Sequence, residues 1–271
     1  MPPPEPEAES THVWAGPDGE PAAYFYPVDR DYWAYFPGIG AYQVSENGEV
    51  VAIPEPSASE TLVVEAYRRT VLPQALQFFG LEVIHASSVV AGERVVGFCA
   101  YSQTGKSTVA FGLSRRGYPL WGDDALAFET AAGTVAALSL PFEMRLRPAS
   151  RAHFGFSPPD RSAVAVDSRL RVGDEIRQLA GLFVLLRQDP EGSPSVAVRP
   201  LQAGEAFSSV LPHAYWTSLV DEPRKQRMLR AYLELTGSVP VYELTFPPSL
   251  TELPAVLDAV ESAILVPREE T

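Results

Sequence analysis

The stretch that decides the fold is Ala100-Tyr101-Ser102-Gln103-Thr104-Gly105-Lys106-Ser107-Thr108. A small residue, four spacers and Gly-Lys-Ser make the pattern of a phosphate-binding loop, with Ala100 where glycine is usual. Such a loop sits between a buried strand and a helix, and both neighbours read that way. Val95-Val96-Gly97-Phe98-Cys99 is an apolar run of strand length. Val109-Ala110-Phe111-Gly112-Leu113 continues a helix, which Ser114-Arg115-Arg116-Gly117 closes with a basic last turn and a glycine C-cap. The chemistry follows from that geometry. Backbone N–H groups at a helix N-terminus bind an anion, so Ser102, Gln103, Thr104, Gly105, Lys106, Ser107 and Thr108 form the nucleotide-binding set. Lys106 reaches the outer phosphates and the Ser107 hydroxyl ligates Mg2+.

Phosphoryl transfer also needs an acid to hold the metal and a group to orient the nucleophile. Gly122-Asp123-Asp124 follows one helix and one strand after Lys106. That spacing returns to the carboxyl ends of the strands, where ligands bind in such sheets. Adjacent carboxylates on an extended segment point to opposite sides, so one faces metal and phosphate while the other faces a hydroxyl or a supporting group. An ordinary acidic turn is the bland alternative. His85 is the only histidine in the apolar run Leu81 to Val90, where a lone histidine is usually a satisfied core residue. However, Ala91-Gly92-Glu93-Arg94 turns that run directly into the loop-bearing strand. The connection is too short for a crossover helix, so the two strands are expected to be antiparallel neighbours. His12, His153 and His213 have no comparable context, and no histidine pair has metal-ligand spacing.

The composition bounds the rest. A chain of 271 residues suits one large or two small domains, and 46% hydrophobic with 20% charged residues is ordinary for a soluble globular protein. The formal net charge of −13 disfavours nucleic acid as a partner. A single cysteine, Cys99, excludes an internal disulfide framework and a cysteine-rich zinc site. The start, Met1-Pro2-Pro3-Pro4-Glu5-Pro6-Glu7, is neither basic nor apolar, and no apolar run reaches membrane-spanning length. The expectation is a cytoplasmic protein with no membrane segment.

Along the chain, residues 1–10 read as a disordered tail. Residues 11–80 read as a small β and helical layer: aromatic strands at Tyr24–Tyr26 and Tyr32–Phe36, a hairpin at Asn47-Gly48, and a helix from Ser59 broken or kinked by Pro73. Residues 81–271 form the phosphate-loop domain. Within it Phe142 to Arg147 alternates like a strand, and Ala149 to Asp167 reads as an irregular loop placed to face an acceptor. Leu179 to Leu186 is a strand, and helices are expected over 203–211, 222–236 and after the capping box Ser249-Leu250-Thr251-Glu252. Arg224 to Arg230 reads as a solvated helix face.

Ile84-His85-Ala86-Ser87-Ser88-Val89-Val90, Gly97 to Thr108, Ser114-Arg115-Arg116-Gly117-Tyr118-Pro119-Leu120 and Gly122-Asp123-Asp124, in that order, resemble HPr kinase/phosphorylase and its shorter relatives. These include forms encoded beside peptide-modification enzymes, such as lasso-peptide gene clusters. Pro240-Val241-Tyr242-Glu243-Leu244 is similar more weakly, and there is no sign of the larger N-terminal domain of full-length HPr kinases. The resemblance implies a phosphoenolpyruvate-carboxykinase-like P-loop fold, α/β with some α+β character, with a mixed sheet and a small N-terminal β layer. It implies ATP and Mg2+ as cofactors and a peptide or protein bearing an acceptor serine as partner, and it leaves homo-oligomer formation open. By position it makes Lys106 the holder of the β- and γ-phosphates, Ser107 a metal ligand, Asp123 the general base, Asp124 a metal or water ligand, and His85 a phosphate-side hydrogen-bond donor. Family loops usually carry glycine at the positions of Ala100 and Gln103, so this turn is stiffer. Two other readings stand beside the kinase. One is a non-catalytic nucleotide- or peptide-binding accessory protein. The other is an NTP hydrolase, although the guanine motif Asn-Lys-x-Asp and the transporter signature Leu-Ser-Gly-Gly-Gln are missing.

Overall fold

Short apolar, aromatic-rich runs separated by tight turns give an antiparallel meander of β1 (His12–Ala15), β2 (Pro21–Val28), β3 (Asp31–Phe36), β4 (Gly40–Val44) and β5 (Val50–Pro54). The computed structural model describes residues 12–16, 18–131, 133–156, 174–188, 195–215 and 222–265. The expected tail at 1–10 and positions 157–167 of the expected acceptor-facing loop lie outside the described residues. Asn47-Gly48 closes the β4–β5 hairpin: Gly48 takes φ 89° and the Asn47 side chain accepts from the Glu49 amide at 3.0 Å. Period-2 alternation divides the aromatics between two faces. Phe25, Phe36, Tyr42 and Val44 pack on Val63, Val71 and Ala75, whereas Tyr26, Trp33 and Ala41 pack on the other face.

The helix beginning at Ser59 runs as α1 (Glu60–Ala66), a five-residue π turn (Tyr67–Val71) and α2 (Leu72–Phe78). Pro73 explains the wide turn. It has no N–H to give to the carbonyl of Arg69, four residues back, and its ring would crowd that carbonyl. The Leu72 amide instead reaches the Tyr67 carbonyl, and the Arg69 carbonyl accepts from the Tyr215 hydroxyl at 2.8 Å. Among the described residues the chain divides into two compact units, Met1–Glu82 with Tyr215–Gln226, and Val83–Ala214 with Arg227–Thr271. Arg224, expected on a solvated face, instead makes a bidentate pair with the buried carboxylate of Glu82, at 2.6 and 3.0 Å.

The second unit is built around a mixed α/β sheet. The expected strand Leu81 to Val90 is split at His85 into β6 (Glu82–Ile84) and β7 (Ala86–Ala91), because the His85 amide turns aside to the His213 carbonyl at 2.7 Å. β7 pairs antiparallel with β8 (Arg94–Cys99), as the short Ala91–Arg94 turn requires. The phosphate-loop helix α3 (Lys106–Ser114) follows, then β9 (Leu120–Gly122), β10 (Leu126–Ala131) and β11 (Thr134–Leu138). Phe142, Met144 and Leu146 are buried and alternate with exposed Glu143, Arg145 and Arg147. This is the pattern of the expected strand, yet the segment is extended chain with only an isolated bridge at Met144. Pro148 then starts a short helix α4 (Pro148–His153), where a loop was expected; proline suits a first helical turn because its missing N–H would be unpaired there.

β12 (Ile176–Arg187) spans the sheet: its first residues pair antiparallel with β11, and its second half lies parallel to β8 and to β14 (Val241–Phe246). β13 (Ala197–Pro200) pairs with β14, preceding α5 (Ala203–Val210), α6 (Glu222–Ser238) and α7 (Leu253–Leu265). Strands β8, β12 and β14 therefore end together at the phosphate loop. Phe98, Phe183 and Leu185 from this sheet pack with Val109 and Leu113 of α3 and Leu257 and Val260 of α7. Arg116 ties α3 to α7 through Asp258 at 2.7 Å, Glu261 at 2.5 Å and the Pro254 carbonyl at 3.1 Å.

Candidate phosphate site

The loop is anchored at both ends and open in the middle. Ala100 is fully buried at the end of β8, while Tyr101 is 63% exposed. Gly105 takes φ 125°, a conformation suited to glycine, and Gln103 takes φ 71°, where glycine would sit without strain. The Thr104 carbonyl accepts from Arg187 Nε at 3.2 Å, and the Thr108 hydroxyl pairs with Ser150 of α4 at 2.8 Å. The first N–H groups of α3 have no partner within the helix, which leaves them for an anion. Lys106 is buried, with its ammonium on the Ala100 carbonyl at 3.2 Å. Burial lowers its pKa, opposed by the charges of Asp124 and Asp123.

Asp123 and Asp124 return to this edge at the end of β9. Asp123 is buried, and its Oδ1 accepts from the Ser107 hydroxyl at 2.9 Å and the Ser87 hydroxyl at 2.6 Å; its Oδ2 accepts from the Arg145 amide at 3.2 Å. Burial and the neighbouring Asp124 charge raise this carboxyl to about 6, against the hydrogen bonds that favour its charged form. Asp124 is less buried and takes φ 63°, in the left-handed region.

His85 stands at the break between β6 and β7, its Nδ1 2.9 Å from the Asp124 carbonyl. A carbonyl only accepts, so Nδ1 carries a proton, and Nε2 of the neutral ring is an acceptor. His85 therefore donates from Nε2 only as the imidazolium. Among the described residues no three His, Cys, Asp or Glu side chains form a metal cage. Magnesium needs only one or two carboxylates beside substrate phosphates, and the Ser107–Asp123 pair beside a lysine fits that requirement.

The fold brings His85, Lys106, Ser107, Asp123 and Asp124 to one sheet edge. Four groups were not singled out from sequence. Ser87 sits at a polar position in an apolar strand, which was a readable signal. The Arg145 amide, Arg187 and His213 arrive from distant parts of the chain with no local motif. His213 is 5% exposed in the short turn Leu211–His213, its ring centroid 5.1 Å from that of Tyr101. Burial, with the Lys106 and His85 charges, lowers its imidazole to about 4.

No family model matches the chain, and no curated protein matches it. Among solved structures it is similar to the HPr(Ser) kinase/phosphatase from Coxiella burnetii, with a TM-score of 0.35 and 12% identity over 67% of this chain and 95% of that one. No helix among the described residues is long and apolar enough to cross a membrane.

Proposed function

We propose that the protein transfers the terminal phosphoryl group of Mg-ATP to a serine hydroxyl of a peptide or protein. One observation carries this reading: the Ser107 hydroxyl, in the first turn of the phosphate-loop helix, is bonded to a buried carboxylate at 2.9 Å beside the Lys106 ammonium. The choice of a serine acceptor is supported by the sequence resemblance running from Ile84 to Asp124.

Lys106 exchanges the Ala100 carbonyl for phosphate oxygens, offsetting charge that grows on them as the phosphoryl group moves. The loop amides from Ser102 to Thr108 hold the β-phosphate in line. Ser107 and Asp123 would hold a magnesium ion, which when bound offsets phosphate charge. This assignment exchanges the roles that the resemblance implies for the two aspartates, because both Asp123 oxygens are already committed to Ser87, Ser107 and the Arg145 amide. Asp124, the less buried of the pair, receives the acceptor's proton. His85, held by the Asp124 carbonyl, donates to a phosphate oxygen when its ring is charged.

The test is transfer of labelled phosphate from ATP to a panel of serine peptides. Asp124→Asn lowers kcat at least about a hundredfold with unchanged Mg-ATP affinity, the scale of losing a general base. Asp123→Asn raises the magnesium requirement. Equal transfer by wild type, Lys106→Ala and Asp124→Asn would contradict the assignment.

A further inference from the structure

We propose that His213 is a second histidine of the phosphate site, gripping the terminal phosphate of a bound nucleotide as an imidazolium; the inference rests on the nucleotide-binding reading above. Two contacts place His213 there, and its burial adds to them. Its carbonyl takes the His85 amide at 2.7 Å, which fixes the turn against the strand break that bears His85. Its ring meets the edge of Tyr101, the first spacer of the phosphate loop, at 5.1 Å between centroids. It is 5% exposed, yet its side chain has no role in the chemistry described so far.

The titratable and charged groups set against His213 are Lys106 from the start of α3, His85 from the break between β6 and β7, and Tyr101 from the loop. In the ligand-free protein, burial and the facing ammonium keep the ring neutral. A polyphosphate seated at Lys106 reverses that field, because its negative charge, even with Mg2+ bound, outweighs the single ammonium that faces the imidazole. The ring then gains a proton and becomes a charge-assisted donor, a stronger bond than a neutral imidazole makes. By linkage, whatever raises the proton affinity of His213 on binding makes phosphate binding tighter as pH falls through the interval between the free and bound pKa values. Asp123 acts in the opposite sense, since a metal ion requires it unprotonated. A bulk proton count would mix the two, so the measurement must read His213 itself.

Histidine ring signals of protein labelled with carbon-13 at Cε1 provide that reading. The full chain has four histidines, and His213 is identified by elimination with His12→Asn, His85→Asn and His153→Asn. Spectra are followed from about pH 4 to 8 for the free protein, with a non-hydrolysable ATP analogue and Mg2+, and with adenosine and Mg2+. The expected result is a rise of about two and a half pH units in the His213 midpoint with the analogue, the shift that a tenfold effect near pH 5.5 requires, and none with adenosine. An unmoved midpoint, while calorimetry on the same sample records bound analogue, overturns the inference; so does an equal shift with adenosine. Absence of any analogue binding overturns the nucleotide-site reading as well, and the calorimetry distinguishes that case. His213→Asn supplies an independent arm: it weakens analogue binding about tenfold near pH 5.5 and less than about twofold near pH 8.5. Equal weakening at both pH values marks a merely structural residue and overturns the proposal.

Discussion

Two loop positions where glycine is expected carry side chains, and their backbones predict opposite outcomes on restoring glycine. Gln103 lies at φ 71°, in the left-handed region, where a side-chain-bearing residue costs about 1–2 kcal/mol relative to glycine. Gln103→Gly removes that strain and loses about 0.5–1 kcal/mol through the greater freedom of the unfolded chain. The net effect is stabilisation of about 0.5–1 kcal/mol, or a rise in Tm of about 1–4 °C for a unit of this size. Ala100 is different. Among the described residues it is not one of those with positive φ, and it is fully buried. Ala100→Gly therefore gains no strain relief, loses a buried methyl worth about 0.8 kcal/mol and pays the same unfolded-chain penalty. The sum is about 1–2 kcal/mol, a fall in Tm of about 2–8 °C. Thermal unfolding by circular dichroism separates the two, with Gln103→Ala as a control near wild type because it keeps the Cβ. A Tm for Gln103→Gly below that of Gln103→Ala would mean that the Gln103 backbone carries no such strain.

The buried site also writes opposing slopes into the pH dependence of stability. The Asp123 carboxyl is raised to about 6 by burial and by Asp124, so between about 4 and 6 the folded state holds a proton that the unfolded chain has lost, and stability falls as pH rises. His213 is lowered to about 4, so between about 4 and 6.5 the unfolded chain holds the extra proton, and stability rises with pH. Urea titrations across this window should show the rising slope alone in Asp123→Asn and the falling slope alone in His213→Asn; identical profiles in the two variants count against the site electrostatics. Gly97 marks a close approach in the core: an added Cβ would lie 2.7 Å from Leu182 Cδ2 and 3.0 Å from Leu126 Cδ2. Gly97→Ala is expected to lose about 1–3 kcal/mol, and less in a Leu182→Ala background, where the clash is relieved. Additive losses in that denaturation cycle would contradict the contact.

What the sequence made legible was local. The loop, its flanking strand and helix, the tight β7–β8 hairpin and the Asn47-Gly48 turn are each set by a few neighbouring residues with strong backbone preferences. What it hid depended on partners distant in the chain. Nothing local announces that the His85 amide leaves its strand for a carbonyl at residue 213, so the break was unreadable although the histidine itself stood out. Phe142 to Leu146 shows why alternation alone is insufficient: period-2 burial needs only one buried side, whereas a strand also needs a neighbour with free N–H and C=O groups. The π turn was half legible. Pro73 announced a disturbance, but the helix continues through a π turn whose Arg69 carbonyl accepts from the distant Tyr215 hydroxyl. The division of labour between Asp123 and Asp124 likewise turned on Ser87 and the Arg145 amide, which no spacing rule connects to the loop.

Calorimetric titration of the intact protein with Mg-ATP decides whether residues 100–108 with Asp123 form a magnesium-nucleotide site. Saturable binding of ATP is expected, with none of adenosine at the same concentrations and at least about tenfold weaker binding by a folded Lys106→Ala variant, the scale of one lost charge-assisted contact. No binding of Mg-ATP by the wild type, or equal binding by wild type and Lys106→Ala, would contradict it.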